Sequence, residues 1–61
     1  MQKEELIAIR NAIEMTQHQF AVTLGTTVTT VSRWENGHTK PSPAYCREIL
    51  RLKDRNAIET S

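Results

Sequence analysis

Cysteine and glycine are scarce in this chain, and each scarcity removes a class of protein. The one cysteine, Cys46, cannot close an internal disulfide, which fits a reducing compartment. It shares no ligand-pair spacing with His18 or His38, so no metal site is expected and Cys46 reads as a small apolar filler on a helix. The two glycines, Gly25 and Gly37, are too few for a phosphate-cradling loop. The longest apolar run, Leu6-Ile7-Ala8-Ile9, is four residues, against about 20 for a membrane span. No signal-peptide pattern opens the chain, so a cytoplasmic protein without membrane attachment is expected. Sixty-one residues make one domain, 1–61, and a chain of that size buries only about 60% of the surface its unfolded form exposes. That leaves little room for an enclosed substrate pocket, and there is no nucleophile–base pair. The expectation is no enzyme, no cofactor and no small-molecule substrate.

Charge of one sign is lacking too: the net charge is +1. Residues 1–32 set Lys3 and Arg10 against Glu4, Glu5 and Glu14, a net −1. Residues 33–61 set Arg33, Lys40, Arg47, Arg51, Lys53 and Arg55 against Glu35, Glu48, Asp54 and Glu59, a net +2. The asymmetry is mild support for an anionic partner.

What the chain does have is helical periodicity with stop signals. Glu4 to Glu14 reads as an amphipathic helix: at about 100° per residue Leu6, Ile9, Arg10 and Ile13 share one arc, with Ile7 well off it. A second helix, Gln17 to Leu24, opens with the T-x-x-Q spacing of a capping box at Thr16 and Gln19. Met15 and Phe20 stand where a hydrophobic staple would. Phe20, Ala21 and Leu24 form its inward stripe, and Gly25 is its left-handed stop. The next run, TTVTTV, has the β-branched composition of a strand. Thr27 can nonetheless cap a helix, Val31 and Trp34 are three apart, and Asn36-Gly37 tolerates positive φ. Read as a helix over 28–35, the segment turns Val31 and Trp34 inward and Thr29, Ser32, Arg33 and Asn36 outward. Ser42 before Pro43 caps a fourth helix over 43–54, with Tyr45, Ile49 and Leu52 on one face and Cys46 flanking. Residues 55–61 are expected to be a frayed tail, with Ile58 able to dock.

Two short helices joined at Gly25, the second with a polar outer face, point to a helix pair that reads DNA through the major groove. Arg33 suits direct readout, since a guanidinium can bond guanine O6 and N7 together. Val28 and the methyl groups of Thr27 and Thr29 suit the thymine methyl. Thr16 and Gln17, at the start of the second helix, suit a phosphate, as do Asn36, His38 and Lys40 beyond the third. Arg10 lies inside the apolar arc of the first helix, where an unpaired charge is costly. Glu35, beside Trp34, is its expected partner; the alternative is a surface pair with Glu14.

At Arg10, Thr16-Gln17, Ala21, Gly25, Thr26-Thr27, Val31, Trp34-Glu35-Asn36-Gly37 and Thr39-Lys40-Pro41, the chain resembles the Cro/cI-type (XRE-like) helix-turn-helix family of lambdoid phage repressors and their bacterial relatives. The resemblance spans about Leu6 to Leu52. Ala21, Gly25 and Val31 have the spacing that close helix packing at the turn requires. It implies an all-α, lambda-repressor-like domain of four or five helices, the fifth reduced or absent after Asp54. It also implies a repressor, phage-encoded or bacterial, that binds a palindromic operator as a homodimer. On this resemblance Thr27, Val28, Thr29 and Arg33 match base-facing positions, Thr16, Gln17, Asn36 and Lys40 backbone-facing ones, and Arg10 and Glu35 a structural ion pair. Several relatives have glutamines where Val28 and Thr29 stand, so their operator sequences do not transfer. Ile7, Val22, Leu50 and Ile58, off the inward stripes, are candidates for the dimer contact. The competing function is an antitoxin-like or adaptor module that holds a protein partner on the same fold.

Overall fold

A computed structural model describes the backbone of residues 1–60 and the side chains of residues 1–55. The described residues form four helices and no strand: α1 (Lys3–Ala12), α2 (Gln17–Leu24), α3 (Val28–Glu35) and α4 (Pro43–Thr60). Helix α3 packs on α2 and α1, and α4 packs on α1 and α2. The core they enclose is Leu6, Ile9, Phe20, Ala21, Val31, Trp34 and Ile49, with Ile13, Met15, Leu24, Tyr45 and Leu52 half-buried around it.

The β-branched segment is helical for reasons that can be weighed. Four β-branched residues in α3 cost up to roughly 0.7 kcal/mol each against alanine, under about 3 kcal/mol in sum. Burial of Val31 (0% exposed) and Trp34 (4%) contributes about 1.5–3 kcal/mol apiece. Thr27 adds a cap, accepting from the Thr30 N–H at 3.3 Å. Tertiary burial therefore overrides local propensity. Trp34 in turn meets Tyr45 of α4, ring centroids 5.1 Å apart and tilted by 58°.

Helices α1, α2 and α3 end alike. In each, a residue at positive φ donates its N–H three residues back and the next residue donates five back, the Schellman arrangement. The bonds are Glu14 to Asn11 and Met15 to Arg10; Gly25 to Val22 and Thr26 to Ala21; Gly37 to Trp34 and His38 to Arg33. Both glycines of the chain are used this way, Gly25 at φ 72° and Gly37 at φ 80°. A Cβ at Gly25 would meet nothing within 4 Å. Its small size is therefore not needed for helix packing, contrary to the spacing argument; the backbone conformation alone requires glycine. The third stop uses Glu14 at φ 57°, a residue expected inside the first helix. Helix α1 closes two residues earlier than expected because Arg10 holds Met15 from two sides. Its carbonyl accepts the Met15 N–H at 3.2 Å, and its Nη1 donates to the Met15 carbonyl at 2.9 Å.

The capping box at α2 is complete, with Gln19 N–H to Thr16 Oγ1 at 3.1 Å and Thr16 N–H to Gln19 Oε1 at 3.0 Å. Helix α4 begins at Pro43 as expected but continues to Thr60 rather than ending near Asp54. No proline or glycine follows Pro43 to stop it, so the expected frayed tail is, up to Thr60, a continuation of α4. The side chain of Ile58 lies outside the described residues.

Candidate nucleic-acid interface

Helix α3 has one buried face and one open one. Val31 and Trp34 are in the core. Thr29 and Arg33, four apart and therefore on one side of the helix, are both exposed, as is the capping Thr27. Val28, at the first turn, is 42% exposed. Among the described residues no hydrogen bond or ion pair engages the exposed Arg33 guanidinium, so all five of its donors are uncommitted. Thr27 differs: its Oγ1 accepts from the Thr30 N–H and is 3.0 Å from the Thr30 Oγ1. The Thr27 hydroxyl is thus engaged within the first turn of α3. Ser32, expected to point outward, is half-buried and accepts from Asn36 Nδ2 at 3.3 Å.

The orientation of this face depends on a polar cluster at the junction of α1, α2 and α3. Arg10 donates through Nε to Glu35 Oε2 at 2.6 Å and through Nη2 to Oε1 at 3.1 Å. The two side chains are 16% and 8% exposed. The alternative pairing of Arg10 with Glu14 is not present. Bidentate geometry and near-burial put the pair in the class where removal of one partner is expensive. Among the described residues no buried side-chain nitrogen or oxygen lacks a partner, so the cluster is closed.

Gln17 belongs to that cluster. Its Nε2 donates to Glu35 Oε1 at 3.1 Å, a role that no sequence spacing announced, because the two residues are 18 apart. One amide proton is thereby committed inward. At the start of α2 the backbone N–H groups of Gln17 and His18 have no partner, as the first turn of a helix dictates. These, with the exposed Thr16, are the groups α2 offers to an anion. Asn36 and Lys40, beyond α3, are exposed, and Lys40 has no ion-pair partner. A cleft of roughly 300 Å³ opens between the start of α1 and the loop after α3, with Lys3, Leu6, Trp34, Gly37 and Lys40 on its walls.

Of the residues proposed for a dimer contact, Val22 is 65% and Leu50 42% exposed, while Ile7 is half-buried. Cys46 is half-buried, its Sγ 3.6 Å from the Pro41 carbonyl oxygen. Among the described residues no group of three His, Cys, Asp or Glu could hold a metal ion, and no helix is long and apolar enough to cross a membrane.

Comparison with known proteins gives one family: a model described as helix-turn-helix matches residues 6–52. Neither a curated protein nor a solved structure matches the chain. The matched residues run from the first core leucine of α1 to Leu52 of α4. They therefore take in the ion-pair cluster and the whole open face of α3.

Proposed function

Because the chain belongs to the Cro/cI-type helix-turn-helix family, a family of DNA-binding regulatory domains, we propose that it is a sequence-specific transcriptional repressor. In this reading it binds a palindromic operator as a dimer, one α3 in each major groove. The observation that carries it is the division of α3: Trp34 buried at 4% exposure, Arg33 beside it open and unpaired. An exposed arginine by itself is ordinary on a surface helix; here it shares the open side of α3 with Thr29, one turn away, and with Val28 at its first turn. A helix that reads base edges needs such a face.

Arg33 takes a guanine through O6 and N7. Val28, Thr29 and the methyl of Thr27 line the thymine methyl groups. Thr16, the free backbone N–H groups of Gln17 and His18, Asn36 and Lys40 hold the phosphates on either side and fix the register of α3. Arg10 and Glu35 touch no DNA; they hold the angle at which α3 is presented. Two half-sites about 34 Å apart follow from the two-fold symmetry of such a dimer. Among the described residues, Val22 and Leu50 are exposed apolar residues available to join the copies.

The test is selection of duplexes from a random pool, followed by binding of Arg33→Ala to every single-base variant of the selected site. Arg33→Ala should lose discrimination at one base pair per half-site, roughly 10- to 100-fold, and keep its affinity for unrelated duplex. A variant that ranks all sites as the parent does removes Arg33 from the reading surface. The exposed Val22 also suits a module that holds a protein partner. No binding of the parent to random duplex at low salt would favour that alternative.

A further inference from the structure

The proposed phosphate contacts come from α2 and from the chain after α3, and a cation from a distant part of the sequence stands beside the second group. Lys3 is the first residue of α1. Its side chain lies across Gly37, in the stop of α3: a Cβ built on Gly37 would be 3.5 Å from Lys3 Cδ and 3.7 Å from Nζ. Lys3 and Lys40 line the same cleft, beside Thr39. Neither ammonium has an ion-pair partner among the described residues. Glu4 also lines the cleft but lies beyond ion-pairing distance of both.

We infer that Lys3 is a further phosphate-binding residue of the DNA interface, acting with Lys40 on one backbone segment beside the end of α3. This rests on the DNA-binding reading proposed above. Two local facts argue that Lys3 is not simply a solvated surface charge. A cation at the first residue of a helix opposes the positive end of the helix dipole, so α1 itself gains nothing from it. Folding then brings it to the cleft that Lys40 also lines, so that two cations without ion-pair partners share one opening. The Lys3 stem runs past Gly37 in ordinary van der Waals range and carries its charge to the cleft that Thr39 and Lys40 also line. Its partner is a phosphodiester, whose charge sits at fixed spacing along the same strand.

The experiment is the salt dependence of duplex binding for the parent, Lys3→Gln, Lys40→Gln and Lys53→Gln. Glutamine keeps a stem over Gly37 and removes the charge, and equal melting temperatures establish that folding is unchanged. Each lost phosphate contact lowers the slope of log K against log salt by about 0.9. Lys3→Gln and Lys40→Gln should each show that drop, while Lys53→Gln, on α4, keeps the parent slope. A Lys3→Gln slope parallel to the parent, with a steep parent slope, overturns this inference and leaves the proposed function standing. A parent with no salt-dependent binding to any duplex overturns both.

Discussion

Removal of the Glu35 carboxylate is the sharpest structural perturbation available. In Glu35→Ala, Arg10 loses the acceptors of its Nε and Nη2, keeping only the Met15 carbonyl for Nη1, and Gln17 loses the acceptor of its Nε2. An exposed ion pair of this kind is worth about 0.2–1 kcal/mol. Here the side chains are only 16% and 8% exposed, so the relevant scale is that of a charge left unpaired in the interior, about 3–5 kcal/mol. A 61-residue domain has roughly 3–9 kcal/mol in total, so the variant should lose about a third or more of its stability. Trp34, the one tryptophan and 4% exposed, reports unfolding in urea by its fluorescence. Arg10→Met/Glu35→Leu, which deletes both charges and keeps apolar volume, should recover much of the loss. With Arg10→Met and Glu35→Leu as the singles, the departure of the double variant from their sum measures the coupling. A loss under about 1 kcal/mol for Glu35→Ala, or additivity of the two singles, would mean that solvent already screens the pair and the cluster does not set the α1–α3 angle.

Two further predictions concern the helix stops. Glu14→Gly, which relieves a left-handed conformation at φ 57°, should stabilise the protein by about 0.5–1 kcal/mol, read as a rise of roughly 2–8 °C in melting temperature. An unchanged or lower melting temperature would contradict the conformational account. Gly25→Ala meets no steric obstacle, so its cost should be the conformational one alone, about 1–2 kcal/mol, with an unchanged urea m-value. A loss above about 3 kcal/mol would reveal a packing role that the open space at Gly25 does not support.

The Cro/cI-type assignment and the helical pairing were legible because their determinants are local. Thr16 and Gln19 carry the capping box within four residues, Gly25 carries its own φ, and Leu6, Ile9, Phe20, Ala21, Val31, Trp34 and Ile49 mark the core by period alone. Local chemistry of this kind acts before any long-range contact exists, so a string of residues is enough to state it. Four features were decided only when the helices came together. The β-branched run became α3 because burial of Val31 and Trp34 outweighed its propensity. Helix α1 stopped at Ala12 without a glycine because Arg10, held by Glu35, also holds the Met15 carbonyl. Gln17 turned inward to Glu35, and Lys3 crossed Gly37 to stand with Lys40. Each joins residues far apart in the chain, and a hydrogen bond or a charge acts through distance in space, which the order of residues does not encode.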